Sequence, residues 1–259
     1  MHGGGMDLRV PHHENERAQS EGLTNKPFVK YWMHNNMLQF GNQKMSKSLG
    51  NVRTTRAFLA EYHPEILKYL MLSGHYRSIL DFSTTSIDNV IAGLARFYSA
   101  MAWADHLADS KQVAPAAFVK ILQTADQGIE VALDDDFNTP EAFARMFEVV
   151  RQFNMQARTP KQSPEKQGLA VAFQAWMKKW GEPMSLFQEP AGDFLRFLDD
   201  MLLKKKDLIR EDIDKMVSER SEARLSRNFT RADELRAQLT ALGISVHDTP
   251  MGSDWEVTK

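Results

Sequence analysis

Lys44-Met45-Ser46-Lys47-Ser48, followed by Leu49-Gly50-Asn51, is the stretch around which the rest of the chain falls into place. It reads as a short loop rich in hydroxyls and ammonium groups, closed by a glycine. Lys44 and Lys47 are three apart, so a loop or a first helical turn aims both at one point. Cations placed in that way stabilise the charge that develops on phosphate oxygens when pyrophosphate leaves a nucleotide. A bare Lys-x-x-Lys spacing describes a solvated basic loop just as well, so its meaning depends on its flanks.

Upstream lies His2-Gly3-Gly4-Gly5-Met6-Asp7. The glycines permit positive φ and close approach of a ligand to the backbone, and Asp7 offers an acceptor for ribose hydroxyls. A flexible glycine-rich terminus accounts for the same residues. Next comes Pro11-His12-His13-Glu14-Asn15-Glu16-Arg17-Ala18-Gln19-Ser20. Pro11 suits a first helical turn, and the acids after it suit the positive end of the dipole. His12 and Glu16 are four apart, on one helix face, where imidazole and carboxylate make half of a tetrahedral zinc site. A surface helix with one His–Glu contact is the plainer alternative. The order is not His-Glu-x-x-His, which disfavours a zincin protease.

Downstream, Lys30 to Phe40 mixes aromatic and apolar residues as one buried strand would, with Gly41-Asn42 as a turn. Thr54 predicts a helix cap, and Pro64 opens a helix with Ile66, Leu67, Leu70 and Met71 on one face. Helical patterns follow over Thr84 to Ala108 and Asp134 to Arg158, the latter entered with Thr139 as cap and Pro140 in first position. Trp176, Trp180, Phe187, Phe194 and Phe197 are expected in the core. Stretches around Pro160 to Pro164 and Glu189 to Gly192 separate helices. Near the end, Arg220, Arg224, Arg227 and Arg231 would line one face of an unbroken helix, with Asn228 or Thr230 capping a new one. A cationic stripe beside Phe229 suits a single-stranded RNA loop; nearby Glu219 and Glu222 suit a salt-bridged surface equally.

Composition bounds these possibilities. The chain has 259 residues, 42% hydrophobic and 25% charged, enough for several domains with real cores. A net charge of −2 means that nucleic-acid contact must come from local basic patches. No apolar run approaches a membrane span, and the N-terminus lacks the basic and apolar regions of a signal peptide, so a cytoplasmic location is expected. With no cysteine, the chain builds neither disulfides nor thiolate metal sites by itself.

Taken together, Gly-Gly-Gly-x-Asp-Leu, Pro-His-His-Glu-Asn-Glu-x-Ala-Gln-Ser and Lys-Met-Ser-Lys-Ser resemble the cysteinyl-tRNA synthetases, a family of class I aminoacyl-tRNA synthetases. Asp136-Phe137-Asn138-Thr139-Pro140-Glu141-Ala142 resembles the same family's helical domain. Arg231-Ala232-Asp233-Glu234-Leu235-Arg236 with Leu242 to Pro250 resembles its anticodon-binding domain. The resemblance implies a mostly α fold: a C-terminal remnant of a Rossmann-type catalytic domain over 1–52, a helical stem-contact region over 53–110, a helical bundle over 111–208, and a small helix-plus-hairpin anticodon-binding domain over 209–259.

The activity implied is ligation of cysteine to tRNA-Cys with ATP as substrate. Lys44 and Lys47 would be catalytic; Gly3, Gly4, Gly5, Asp7 and Lys47 would bind ATP. His12 and Glu16 would hold a zinc ion that takes the substrate thiolate and so rejects serine. Arg224, Phe229, Asp233 and Asp248 would meet the anticodon, carboxylates accepting from base amino groups. The family's upstream His-Ile-Gly-His motif and its cysteine zinc ligands have no match, so a truncated chain, inactive alone and monomeric, is expected. The alternatives are a non-catalytic anticodon-binding module, or a cysteine ligase acting on an amino sugar.

Overall fold

The computed structural model describes residues 1–41, 43–44, 54–109, 111–159, 163–249 and 252–259. Lys47 and the rest of its loop lie outside these residues, and of Lys44 only the backbone is described. The chain forms two compact units, Met1–Gln188 and Glu189–Lys259. Ten α-helices and short strands among the described residues make the fold mostly α.

In the first unit, β1 (His2–Gly5) runs parallel to β2 (Trp32–Asn35), with His2 opposite Trp32 and Gly5 opposite Asn35. Short turns over Met6–Leu8 and Arg9–His13 and then α1 (Glu14–Thr24) connect the pair. The expected single strand from Lys30 to Phe40 is instead two. β2 ends at Asn35 and β3 spans Leu38–Phe40, because Asn36 turns the chain: its Oδ1 accepts from Met37 N at 2.8 Å and its Nδ2 donates to the Arg77 carbonyl at 2.9 Å. β3 pairs antiparallel with β4 (Gln43–Lys44) and parallel with β5 (Leu80–Asp81).

Helices α2 (Thr55–Leu59) and α3 (Pro64–Ser73) start as their capping chemistry dictates, Thr54 accepting from Ala57 N and Pro64 standing in the first turn. The buried face of α3 is Glu65, Ile66, Tyr69 and Leu70, whereas Met71 is exposed. The bundle follows as α4 (Thr84–Leu107), α5 (Ala116–Asp134), α6 (Thr139–Ala157) and α7 (Pro164–Met184). Asn138, not Thr139, caps α6, accepting from Glu141 N; the Thr139 hydroxyl donates across to the Leu72 carbonyl at 2.7 Å. The sequence pattern placed the cap one residue late because either side chain suits the position.

Ring stacking fills the bundle core, Phe97 on Phe147 and Phe153 on Phe173, each with centroids 4.2 Å apart. Trp176 and Trp180 are buried as expected, and both indole N–H groups donate to Asp126 Oδ1 at 2.7 Å. Phe187 and Phe194 are buried too, but Phe197 is 41% exposed on the outer side of its helix. Buried Glu65 accepts from the Tyr98 hydroxyl at 2.7 Å and from the backbone N–H groups of Phe187 and Gln188 at 3.0 and 3.1 Å. These bonds satisfy a charge that would be costly alone, and they fix the end of the first unit onto α3 and α4.

The second unit packs α8 (Ala191–Lys205), α9 (Arg210–Leu225) and α10 (Phe229–Ala241) with an antiparallel hairpin, β6 (Ile244–Thr249) and β7 (Gly252–Val257). Its core is Leu203, Ile213, Val217, Leu239, Ile244 and Val257. No helix of the described residues is long and apolar enough to cross a membrane.

Candidate functional site

The parallel pairing of β1 and β2 brings residues far apart in sequence to one end of the first unit. Gly4 lies opposite His34, and a Cβ at Gly4 would stand 2.8 Å from the His13 ring. The glycine therefore makes room for an imidazole packed on the backbone. A Cβ at Gly5 would meet the Asp7 carboxylate at 2.3 Å, so Asp7 folds back over the end of β1.

Glu16, on the first turns of α1, faces two imidazoles: His12 Nε2 stands 3.5 Å from its Oε1 and His2 Nε2 2.9 Å from its Oε2. Oε2 is buried yet takes no hydrogen bond of good geometry. His2, His13 and Glu16 each bring a ligand atom within 4.8 Å of the others. His13 is buried, and its Nδ1 is 2.8 Å from His34 Nε2, which leaves Nε2 as its second ring nitrogen. Burial first, then the charges of His13, Arg9, Arg77 and His2, push the His34 imidazole below its ordinary pKa.

This donor set, imidazole nitrogens converging with a carboxylate oxygen that is buried and poorly aligned for hydrogen bonding, fits a divalent ion such as zinc. Hydrogen bonding between His13 and His34 is the kind of outer contact that orients a metal-binding imidazole. The spacing of His12 and Glu16 singled out Glu16, which lies in this cluster, and gave no sign of His2, His13 or His34 beside it. A histidine just before the glycine run and another inside Trp32-Met33-His34 were the only signals, and neither acquires meaning until the strands pair.

Beside the cluster lies a cleft of about 310 Å³ lined by Arg9, His13, Arg17, Trp32, His34 and Arg77, among others. It is rich in guanidinium groups and has an aromatic wall. Arg17 pairs with Glu14 at 3.0 Å. Arg77 meets Asp136 through Nε at 2.5 Å and Nη2 at 3.0 Å.

In the second unit, the arginine stripe is not continuous. The α9 helix stops at Leu225, Arg227 turns the chain at φ 61°, and Asn228 caps α10 by accepting from Arg231 N. Arg220 is 4% exposed and grips Asp248 of the hairpin with a two-pronged fork at 2.9 and 3.1 Å. Arg224 also donates to Asp248, and Ser253 Oγ does so at 3.0 Å. Arg231 pairs with Glu219 and Glu234, both at 3.3 Å. The Arg220 fork, then Ser253 and Arg224, hold the Asp248 carboxyl far below the usual carboxylate range. Phe229, by contrast, is 62% exposed at the start of α10, and Asp233 is exposed one turn later.

Comparison with known proteins covers most of the chain. Residues 1–92 match the family described as tRNA synthetases class I (C) catalytic domain, residues 129–188 the DALR domain, and residues 207–255 the cysteinyl-tRNA ligase anticodon binding domain. A cysteine–tRNA ligase of Bdellovibrio bacteriovorus is 58% identical over 261 residues, covering 100% of this chain and 54% of the relative. One from Nitratidesulfovibrio vulgaris (strain Hildenborough) is 39% identical over 263 residues, covering 99% of this chain and 54% of the relative. The chain thus spans about half the length of the curated relatives it matches. Among solved structures, the agnB2 LeuRS of Agrobacterium radiobacter K84, in a ternary complex with tRNA and LeuAMS, aligns with a TM-score of 0.51 and 16% identity. That alignment covers 73% of this chain and 27% of the LeuRS, and at such identity the likeness is one of fold alone.

Proposed function

Because the chain belongs to the cysteine–tRNA ligase family, we propose that it forms the part of such an enzyme that carries the second ATP motif, metal donors and the anticodon reader. The reaction is activation of cysteine with ATP, then transfer of the cysteinyl group to tRNA-Cys. Lys44 and Lys47 stabilise the departing pyrophosphate, while the backbone of Gly3, Gly4 and Gly5, with Asp7, receives the nucleoside. Glu16 holds zinc together with histidines of the cluster, His12 by its spacing and His2 and His13 by their convergence. When bound, that ion supplies a soft-acceptor site for a thiolate. The chain's own residues orient it, exclude water with Trp32 and contribute only nitrogen and oxygen donors, since the 259 residues contain no cysteine.

The observation that carries this reading is the convergence of His2, His13 and Glu16 beside an arginine-lined cleft, built where β1 pairs in parallel with β2. In the second unit, exposed Phe229 offers a base-stacking face, and Arg224 and Asp233 offer polar groups for anticodon bases, with the fully paired Asp248 holding Arg224 in place. A cysteine ligase acting on an amino sugar has no use for an anticodon-binding domain, which disfavours that alternative.

Equilibrium binding of a tRNA-Cys transcript to the 259-residue chain is the test. Saturable binding is expected, weakened about tenfold by replacing an anticodon base, the range that one lost base contact is worth. Equal affinity for both transcripts would contradict the proposal. Without a His-Ile-Gly-His motif the chain alone is expected not to exchange pyrophosphate into ATP in the presence of cysteine.

A further inference from the structure

Asp136 sits far from the sequence motifs of the cleft, in the turn between α5 and α6. It and Phe137 both take left-handed backbone angles, φ 57° and 55°, which cost free energy for residues with a side chain. That conformation presents the Asp136 carboxylate to the segment after α3. Oδ2 accepts from Arg77 Nε at 2.5 Å, and Oδ1 accepts from Arg77 Nη2 at 3.0 Å and from the Tyr76 hydroxyl at 2.6 Å. The Arg77 guanidinium also lies over the Tyr76 ring, 5.2 Å from its centroid. From the other side, Asn36 fixes the same segment, its N–H donating to the Tyr76 carbonyl at 2.9 Å and its Nδ2 to the Arg77 carbonyl at 2.9 Å.

Arg77 is thus held at backbone, ring face and fork, and it forms part of the cleft wall beside His34. Among the described residues its Nη1 has no partner. A guanidinium whose Nε edge is fixed by a carboxylate, with Nη1 free, is preorganised to donate to a second anion without paying side-chain entropy. Strain persists where the surrounding structure over-determines it, and here the strained turn contributes the bond that sets the arginine.

We propose that Asp136 is a positioning residue, which aims Arg77 at a phosphate group entering the cleft and thereby ties the helical bundle to the site. This rests on the cleft being the ligand-receiving site proposed above. The phosphate belongs either to a nucleotide or to an RNA backbone, and both present the same oxygens to the fork.

The test is calorimetric titration of the 259-residue chain with inorganic pyrophosphate and, separately, with tRNA-Cys transcript. Arg77→Gln is expected to weaken binding of at least one probe about tenfold, the worth of a charge-assisted hydrogen bond. Asp136→Asn should weaken the same probe about threefold to tenfold, and the double variant should be no weaker than Arg77→Gln alone, because both act through one group. Asp136→Glu, which restores the charge, should recover part of the loss. Glu148→Gln removes a comparable exposed pair, that of Glu148 with Arg151, outside the cleft and should leave both titrations unchanged.

Which probe responds identifies the source of the phosphate. Wild-type binding that Asp136→Asn leaves intact, in a variant with an unchanged melting temperature, overturns the proposal alone. Wild-type chain that binds neither probe overturns the cleft assignment and the proposal together. Should Asp136→Asn fail to fold, Tyr76→Phe and Arg77→Lys decide: loss of affinity in Arg77→Lys supports the fork, and unaltered affinity overturns it.

Discussion

The cluster at Glu16 and the cluster at Asp248 are both carboxylates surrounded by nitrogen donors, but one is open and the other is closed. Asp248 has every direction taken: a fork from Arg220, a further bond from Arg224 and a hydroxyl from Ser253. Glu16 Oε2 is buried and lacks a hydrogen bond of good geometry, with imidazoles of His2 and His13 arranged around it. A carboxylate of the first kind ties helix α9 to the hairpin; one of the second kind, met only by imidazoles at 2.9 and 3.5 Å, keeps acceptor capacity for a ligand. Density of charge does not separate the two. The count of unused lone pairs does.

If Asp248 is a structural tie, removing its main partner should have the largest effect. Arg220→Ala leaves the carboxylate with weaker partners and opens a space under the hairpin. It should cost the second unit about 2 kcal/mol, below the range for a fully buried pair because Asp248 is half exposed. Denaturant unfolding followed at Trp255, the one tryptophan of that unit, measures it. No change would show that the contact is idle and return Asp248 to the anticodon face alone.

A smaller effect follows from pH. The Asp248 carboxyl is held down by the guanidinium fork, so its contribution to stability is fully present above the ordinary carboxylate value of about 3.9 and is lost as pH falls below it. Unfolding midpoints of the second unit should therefore drop as pH falls from about 4 towards 2. Asp248→Asn, less stable at neutral pH, should show a flatter slope in that interval. Equal slopes would mean that other acids dominate.

The sequence was informative wherever the chemistry is local. Thr54 and Pro64 start their helices as capping rules require, and the hairpin pairs Ile244 with Val257 through Thr249 with Gly252. It failed where a neighbour from elsewhere decides. Asn36 splits the anticipated strand because Arg77, forty-one residues on, accepts from its side chain. Met71 satisfies the helical period but faces outward, since the buried face of α3 turns towards Glu65 and Tyr69 instead. Arg220 looked like one member of a solvent-facing stripe, and its burial depends on an aspartate in a strand that follows another helix. The proposed metal cluster is the extreme case. Glu16 drew attention through its i, i+4 relation to His12, whereas His2 and His13 come beside it only in the folded chain, where β1 pairs in parallel with β2.

The contrast between open and closed carboxylates is tested most directly by titrating the chain with zinc and then challenging the complex with a mild chelator. With only nitrogen and oxygen donors, the chain should bind one zinc reversibly and release it to the chelator. Glu16→Gln should abolish that binding, and Asp248→Asn should leave it as it was. Zinc uptake that survives Glu16→Gln, or no uptake by the wild-type chain, would contradict the assignment of Glu16 as the open donor.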